Sequence, residues 1–152
     1  MELKNIQPFN QIKGLVYQGV KVNLGGPESR TGVLLAVGDD YLVLQANTGE
    51  VVYYQQEHVK SVINKAKELG IAANFIEQPY VTGQAFQDIL ATLKHKWVKI
   101  NRGGPESVEG ILSEVNDEYI TLVNRDEVIY IVTFHIKNVN QITKNKKNEE
   151  EN

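Results

Sequence analysis

The chain has 152 residues, 41% of them hydrophobic, with a net charge of −3, which suits one ordinary domain or two small ones around a globular core. It contains no cysteine, so disulfides, thiolate metal sites and cysteine nucleophiles are excluded. Charge is spread evenly: residues 9–63 carry four basic and five acidic side chains and residues 86–142 carry six and eight, so neither stretch is a basic platform for polyphosphate.

The first residues, MELKNIQPFNQIKG, show no basic start followed by an apolar run, and no stretch approaches the length of a membrane span. The expectation is synthesis in a cytoplasm, with no membrane partner. Phe9, Ile12, Leu15 and Val16 then recur at three- and four-residue spacings, which predicts a short helix in FNQIKGLVY. Five β-rich runs follow, VKVNL, GVLLAV, YLVLQA, VVYYQ and VKSVI, separated by Gly, Pro, Asn and Asp. Residues 64–85 read as a connector, with Pro79 and Gly83 as breakers and Phe75, Ile76 and Tyr80 as apolar residues expected to pack between two units.

The same order then returns. Phe86, Ile89, Leu90 and Leu93 predict a second short helix, and VKIN, GILSEV, YITLV, VIYIV and IKNVNQI supply five further strands. A shift of 78 positions lays Val20 to Leu44 on Val98 to Leu122 without a gap, and a shift of 77 continues from Glu50 to Val62, with twenty identities in all. A unit this long points to two copies of one small fold rather than a solenoid. The expected class is therefore mainly β with short helices: two tandem Sm-like or SH3-like small β-barrels from an internal duplication, each a short helix followed by five strands. The boundaries are residues 1–63, a connector at 64–85, residues 86–142, and a disordered polar tail at 143–152, TKNKKNEEEN following Ile142 and Thr143 opening it. Positions apolar in both copies form the expected core, among them Leu34, Leu42, Leu44, Tyr53 and Val62 with Leu112, Ile120, Leu122, Val128, Tyr130 and Val139.

The most conspicuous repeated motif is GGPES: Gly25, Gly26, Pro27, Glu28 and Ser29, then Gly103, Gly104, Pro105, Glu106 and Ser107. Its glycines, proline and short polar residues suit a turn between the first two strands of each copy. A phosphate cradle is disfavoured, because no Lys-Ser or Lys-Thr follows, no helix begins there, and the loop carries its own acid. His58 and His135 match across the copies just before the last strand, as do Lys60 and Lys137. One histidine per copy, with no second ligand at a shared spacing, reads as backbone bonding rather than as a metal site or base. No catalytic constellation, metal or cofactor is expected. Tyr54 and Ile131, on the fourth strand of each copy, are candidate positions on an assembly edge.

VNLGGPESRTGVLLAVGDDYLVLQANTGEVVYYQQEHVKS and HKWVKINRGGPESVEGILSEVNDEYITLVNRDEVIYIVTFHIKN closely resemble the spore coat protein B family of endospore-forming bacilli. That resemblance implies a non-enzymatic structural protein of the outer spore coat. It would be made in the mother-cell cytoplasm and then layered onto the spore, with other coat proteins and further copies of itself as partners. Some family members carry a long Ser-, Lys- and Arg-rich tail; the expectation for this chain, which reads TKNKKNEEEN after Ile142, is a short, barrel-only relative without it. The alternative is an Sm-like RNA-binding protein, with Lys60 and Lys137 near such a site; the acidic balance makes nucleic acid the less favoured partner.

Overall fold

The computed structural model describes residue 9 and residues 11–65, 75–101, 104–105 and 107–143. Ten strands form one antiparallel sheet: β1 Gly19–Val22, β2 Arg30–Val37, β3 Tyr41–Ala46, β4 Val51–Gln55, β5 Val62–Asn64, β6 Trp97–Ile100, β7 Val108–Val115, β8 Tyr119–Asn124, β9 Glu127–Val132 and β10 Asn138–Gln141. Their order across the sheet is β5-β1-β2-β3-β4-β10-β6-β7-β8-β9. Among the described strands the sheet is open, with β5 and β9 outermost. Each half has the same internal order, its fifth strand folding back beside its first. The halves run into one another through β4 and β10, so the sheet is continuous where the sequence pattern alone suggests two separate barrels.

Matched irregularities bend the two halves alike. A register shift falls between Leu34 and Ala36 against β3, and another between Leu112 and Glu114 against β8; such bulges sharpen local twist. Gly32 and Gly110 are needed beside them: a Cβ at Gly32 would lie 2.1 Å from the Gln45 carbonyl oxygen, and one at Gly110 would lie 2.8 Å from that of Val123. Left-handed backbone also recurs, at Tyr17 (φ 68°) and His95 (φ 74°) before the first strand of each half, and at Asn23 (φ 65°) and Asn101 (φ 51°) after it. Asn tolerates this conformation because its short side chain bonds locally. Here Asn23 Oδ1 accepts from the Lys60 N–H at 2.7 Å and Asn101 Oδ1 from the Lys137 N–H at 2.6 Å. Each Asn thereby ties the end of the first strand to the start of the fifth.

The two expected helices differ. Phe86–Thr92 is an α-helix, α1, whereas Gln11–Leu15 is only a 3-10 turn. Asp88 explains part of the difference, since its carboxylate accepts from the backbone N–H groups of Gln84 and Ala85, both at 3.0 Å, and so caps the helix start. Gln11 stands at the corresponding place in the first half, and Gly14 stands where α1 has Ala91, a change costing about 1 kcal/mol of helix propensity.

Packing also departs from the twofold pattern. One core lies within the first half, on Val20, Val22, Leu34, Leu42, Leu44, Val52 and Tyr54. The other contains α1 and the second half's Val98, Ile100, Leu112, Ile120 and Leu122, then continues onto the back of the first half through Val33, Leu35, Tyr41, Val43 and Tyr53. Phe75, Tyr80 and Val81 of the connector pack against this second core, while Ile76 is 73% exposed. Polar bonds fix the connector there. The Gln45 amide donates to the Ile76 carbonyl and accepts from the Gln78 N–H, Tyr53 Oη accepts from the Val81 N–H, and Tyr41 Oη donates to the Gly83 carbonyl at 2.7 Å. Among the described residues, no such segment covers the second half's corresponding face. Val128 and Tyr130, expected in the core, are consequently exposed.

Candidate assembly surface

The first GGPES loop is a built turn. Gly26 adopts φ 90°, a conformation that suits glycine, the Ser29 N–H donates to the Gly26 carbonyl at 3.1 Å, and Ser29 Oγ donates to the Asn23 carbonyl at 2.6 Å. Gly25 and Pro27 complete it. Glu28 turns inward: its carboxylate accepts from Asn138 Nδ2 at 2.7 Å and lies 3.5 Å from Arg30 Nη1, with its side chain only 8% exposed. Its main-chain carbonyl accepts from Tyr54 Oη at 3.0 Å. In the second loop the Ser107 N–H donates to the Gly104 carbonyl. A Cβ at Gly104 would lie 3.8 Å from both Glu28 Oε2 and Pro27 Cγ, so the two loops are neighbours. Pro105 is described with Gly104, whereas Gly103 and Glu106 lie outside the described residues.

These loops flank the joint between the halves. β4 and β10 pair antiparallel with Tyr54 opposite Asn138, Tyr53 opposite Val139 and Val52 opposite Asn140. Gln55 fastens the end of the joint. Its N–H donates to the Lys137 carbonyl at 3.1 Å, and its side-chain amide donates to the carbonyls of Thr133 and Ile136 at 3.0 and 2.7 Å.

The matched histidines sit in different surroundings. His58 Nε2 lies 2.6 Å from the Phe134 carbonyl oxygen; a carbonyl only accepts, so this nitrogen carries the hydrogen. The His58 ring also meets Phe134 edge-on, 5.7 Å between centroids. His58 thus adds a bond across the joint, while His135 is exposed beside the outer strand β9. Lys60 and Lys137 are matched through their backbone amides, and both side chains are exposed. Among the described residues, no group of three or more His, Asp or Glu is placed to hold a metal ion.

The two candidate edge residues also diverge. Tyr54 is 1% exposed on a strand paired along both sides, and its burial pushes the phenol pKa up to about 12, with Arg30 pulling the other way. Ile131 lies on the outer strand β9, but its side chain packs inward against the second core. The exposed face of β9 belongs to its neighbours: Val128 is 54%, Tyr130 66% and Val132 53% exposed, with Phe134 just beyond at 63%. Sequence reasoning missed this face because period-two alternation marks two faces of a strand without saying which one is covered. It also missed Asn23, Asn101, Gln45 and Gln55, although the identical Asn after each first strand was a signal.

No protein-family model matches the sequence. The chain is 40% identical over 141 residues to spore coat protein B of Bacillus subtilis (strain 168), a match covering 91% of this chain and 36% of that protein. The chain therefore spans about a third of the length of this relative. Along nearly its whole length, the chain is a relative of spore coat protein B.

Proposed function

We propose that this chain is a structural spore coat protein that acts through protein–protein contacts rather than catalysis. The observation that carries the reading is the 40% identity to spore coat protein B over nearly the whole chain. Supporting it, the repeated GGPES residues of the first half are spent on a turn and on the joint between halves, leaving no concentrated reactive group there. Each half is read as a bent small-barrel unit, residues 1–63 and 86–142, with 64–85 as the strap joining them. Their fifth strands returning to their first strands support this division. The tail at 143–152 falls almost entirely outside the described residues. Partners are other coat proteins and further copies of the chain, and the route is from mother-cell cytoplasm to coat. The GGPES loops are proposed to brace the unit, with the Lys60 and Lys137 backbones held by Asn23 and Asn101.

A fluorescent fusion expressed in sporulating Bacillus subtilis tests this. Accumulation as a shell around the developing spore is expected. Diffuse mother-cell fluorescence throughout sporulation would sink the coat assignment.

A further inference from the structure

The sheet ends in two different edges, and the joint in its middle shows how such edges meet. β4 is a fourth strand and β10 a fifth strand; β9 and β5 are the remaining fourth and fifth strands, each outermost. We propose that β9 of one chain pairs with β5 of a second copy in the register of the β4–β10 joint, producing a head-to-tail, directional assembly. This deepens the coat reading above and rests on it for its biological setting.

Transposing the observed pairing by the repeat places Ile131 opposite Ser61, Tyr130 opposite Val62 and Ile129 opposite Ile63 of the second copy. The backbone is oriented for it. Thr133 donates its N–H inward to the Glu118 carbonyl, so by strand alternation Tyr130 and Val132 direct theirs outward. On β5, the Ser61 carbonyl and Lys65 N–H are spent inward on Asn23 and Gly19, which turns the Lys60 carbonyl and the Val62 N–H and carbonyl outward. In the internal joint the Gln55 N–H reaches the Lys137 carbonyl; in the transposed joint the Val132 N–H meets the Lys60 carbonyl.

Side chains at the outer edges match in character. Gln55 of the internal joint corresponds to Val132, and Asn140 corresponds to Ile63. Both outer strands therefore carry aliphatic residues where the internal joint carries amides. β9 adds exposed Val128, Tyr130 and Phe134, an edge that no described strand pairs with and of the kind that recruits another strand. Losing the Gln55 clamp makes this contact weaker than the internal one and dependent on concentration. Because the edges differ, the contact is heterologous, and repetition gives a ring if the rotation closes and a filament if it does not.

The test uses two full-length variants. Tyr130→Pro and Val62→Pro each remove one outward N–H while leaving the inward ladder donors in place, a position where edge strands accept proline. By light scattering, the wild-type mass is expected to rise with concentration beyond a dimer, and each variant alone to remain monomeric. An equimolar mixture is expected to form a 1:1 complex that grows no further, since one intact β9 and one intact β5 remain. Val132→Lys and Ile63→Lys give the same readout should either proline unfold the chain. A wild type that stays monomeric overturns the proposal, as does a Val62→Pro variant that still associates, or a mixture that stays monomeric. Shell formation by a monomeric wild type would overturn this contact and leave the coat reading standing, whereas association without spore targeting would do the reverse.

Discussion

Tyr41 and Tyr53 on the first half correspond to Tyr119 and Tyr130 on the second, yet the first pair is 3% exposed at each position and the second pair 38% and 66%. β3–β4 and β8–β9 share one register, but β4 is also joined to β10, whereas β9 is outermost among the described strands. The connector then covers the first pair. It lays Phe75, Tyr80 and Val81 over the first half and gives the buried tyrosine hydroxyls partners. On the second half Tyr119 and Tyr130 pack edge-on against each other, with centroids 5.7 Å apart. A duplicated unit thus acquires an inside surface or an outside surface according to what the linking segment covers.

The largest effect should come from truncating the matched rings. Tyr53→Ala is expected to destabilise the protein by about 3 to 5 kcal/mol, as expected for a large buried ring, while Tyr130→Ala should shift stability by less than about 0.5 kcal/mol. Urea unfolding midpoints of the two variants decide it, and equal losses would mean that the second face is covered in solution.

Alkaline pH should discriminate next. The folded pKa of Tyr54 stands at about 12 against an ordinary 10.0 because burial penalises the phenolate. Its favourable contribution is complete below pH 10 and declines as pH rises toward 12, because the unfolded chain then binds fewer protons than the folded one. The loss amounts to roughly 2 to 3 kcal/mol. Burial shifts Tyr53 in the same direction, so Tyr54→Phe should flatten the alkaline slope only in part. Chemical denaturation between pH 9 and about 12 measures this, and an unchanged slope in Tyr54→Phe would remove Tyr54 as a contributor.

A smaller effect belongs to the latch. Gln45 bonds Ile76 and Gln78, and Val123 takes its place in the second half. Gln45→Ala should cost about 1 to 2 kcal/mol and hasten hydrogen exchange at the Gln78 and Val81 amides. Unaltered exchange there would mean that apolar packing alone holds the connector.

Local chemistry was readable in advance, and distant chemistry was not. Alternating Val, Tyr and Leu runs located all ten strands, and Gly-Gly-Pro located the turn, because these depend on residues near in sequence. The meeting of Glu28 with Asn138 spans 110 positions, and no local pattern encodes it. Likewise, FNQIKGLVY has a helical apolar spacing, but Gly14 and the absence of an acid like Asp88 reduce it to a 3-10 turn. The covering of Tyr53 could not be read from VVYY, which repeats closely as VIYI.

The start of α1 has a consequence for the order in which the chain folds. The Phe86 N–H donates to Asp40 Oδ1 at 2.7 Å, and Phe86 is buried against the back of the first half. The later half therefore begins on a template laid down by the earlier one. During synthesis the N-terminal half emerges first, and its β4 stays an open edge until residues 138–141 leave the ribosome. For that interval the nascent chain carries, on β4, the same kind of outer border that β9 forms among the described strands. Slow elongation across residues 86–141 would lengthen the exposure, making translation speed a control on premature aggregation.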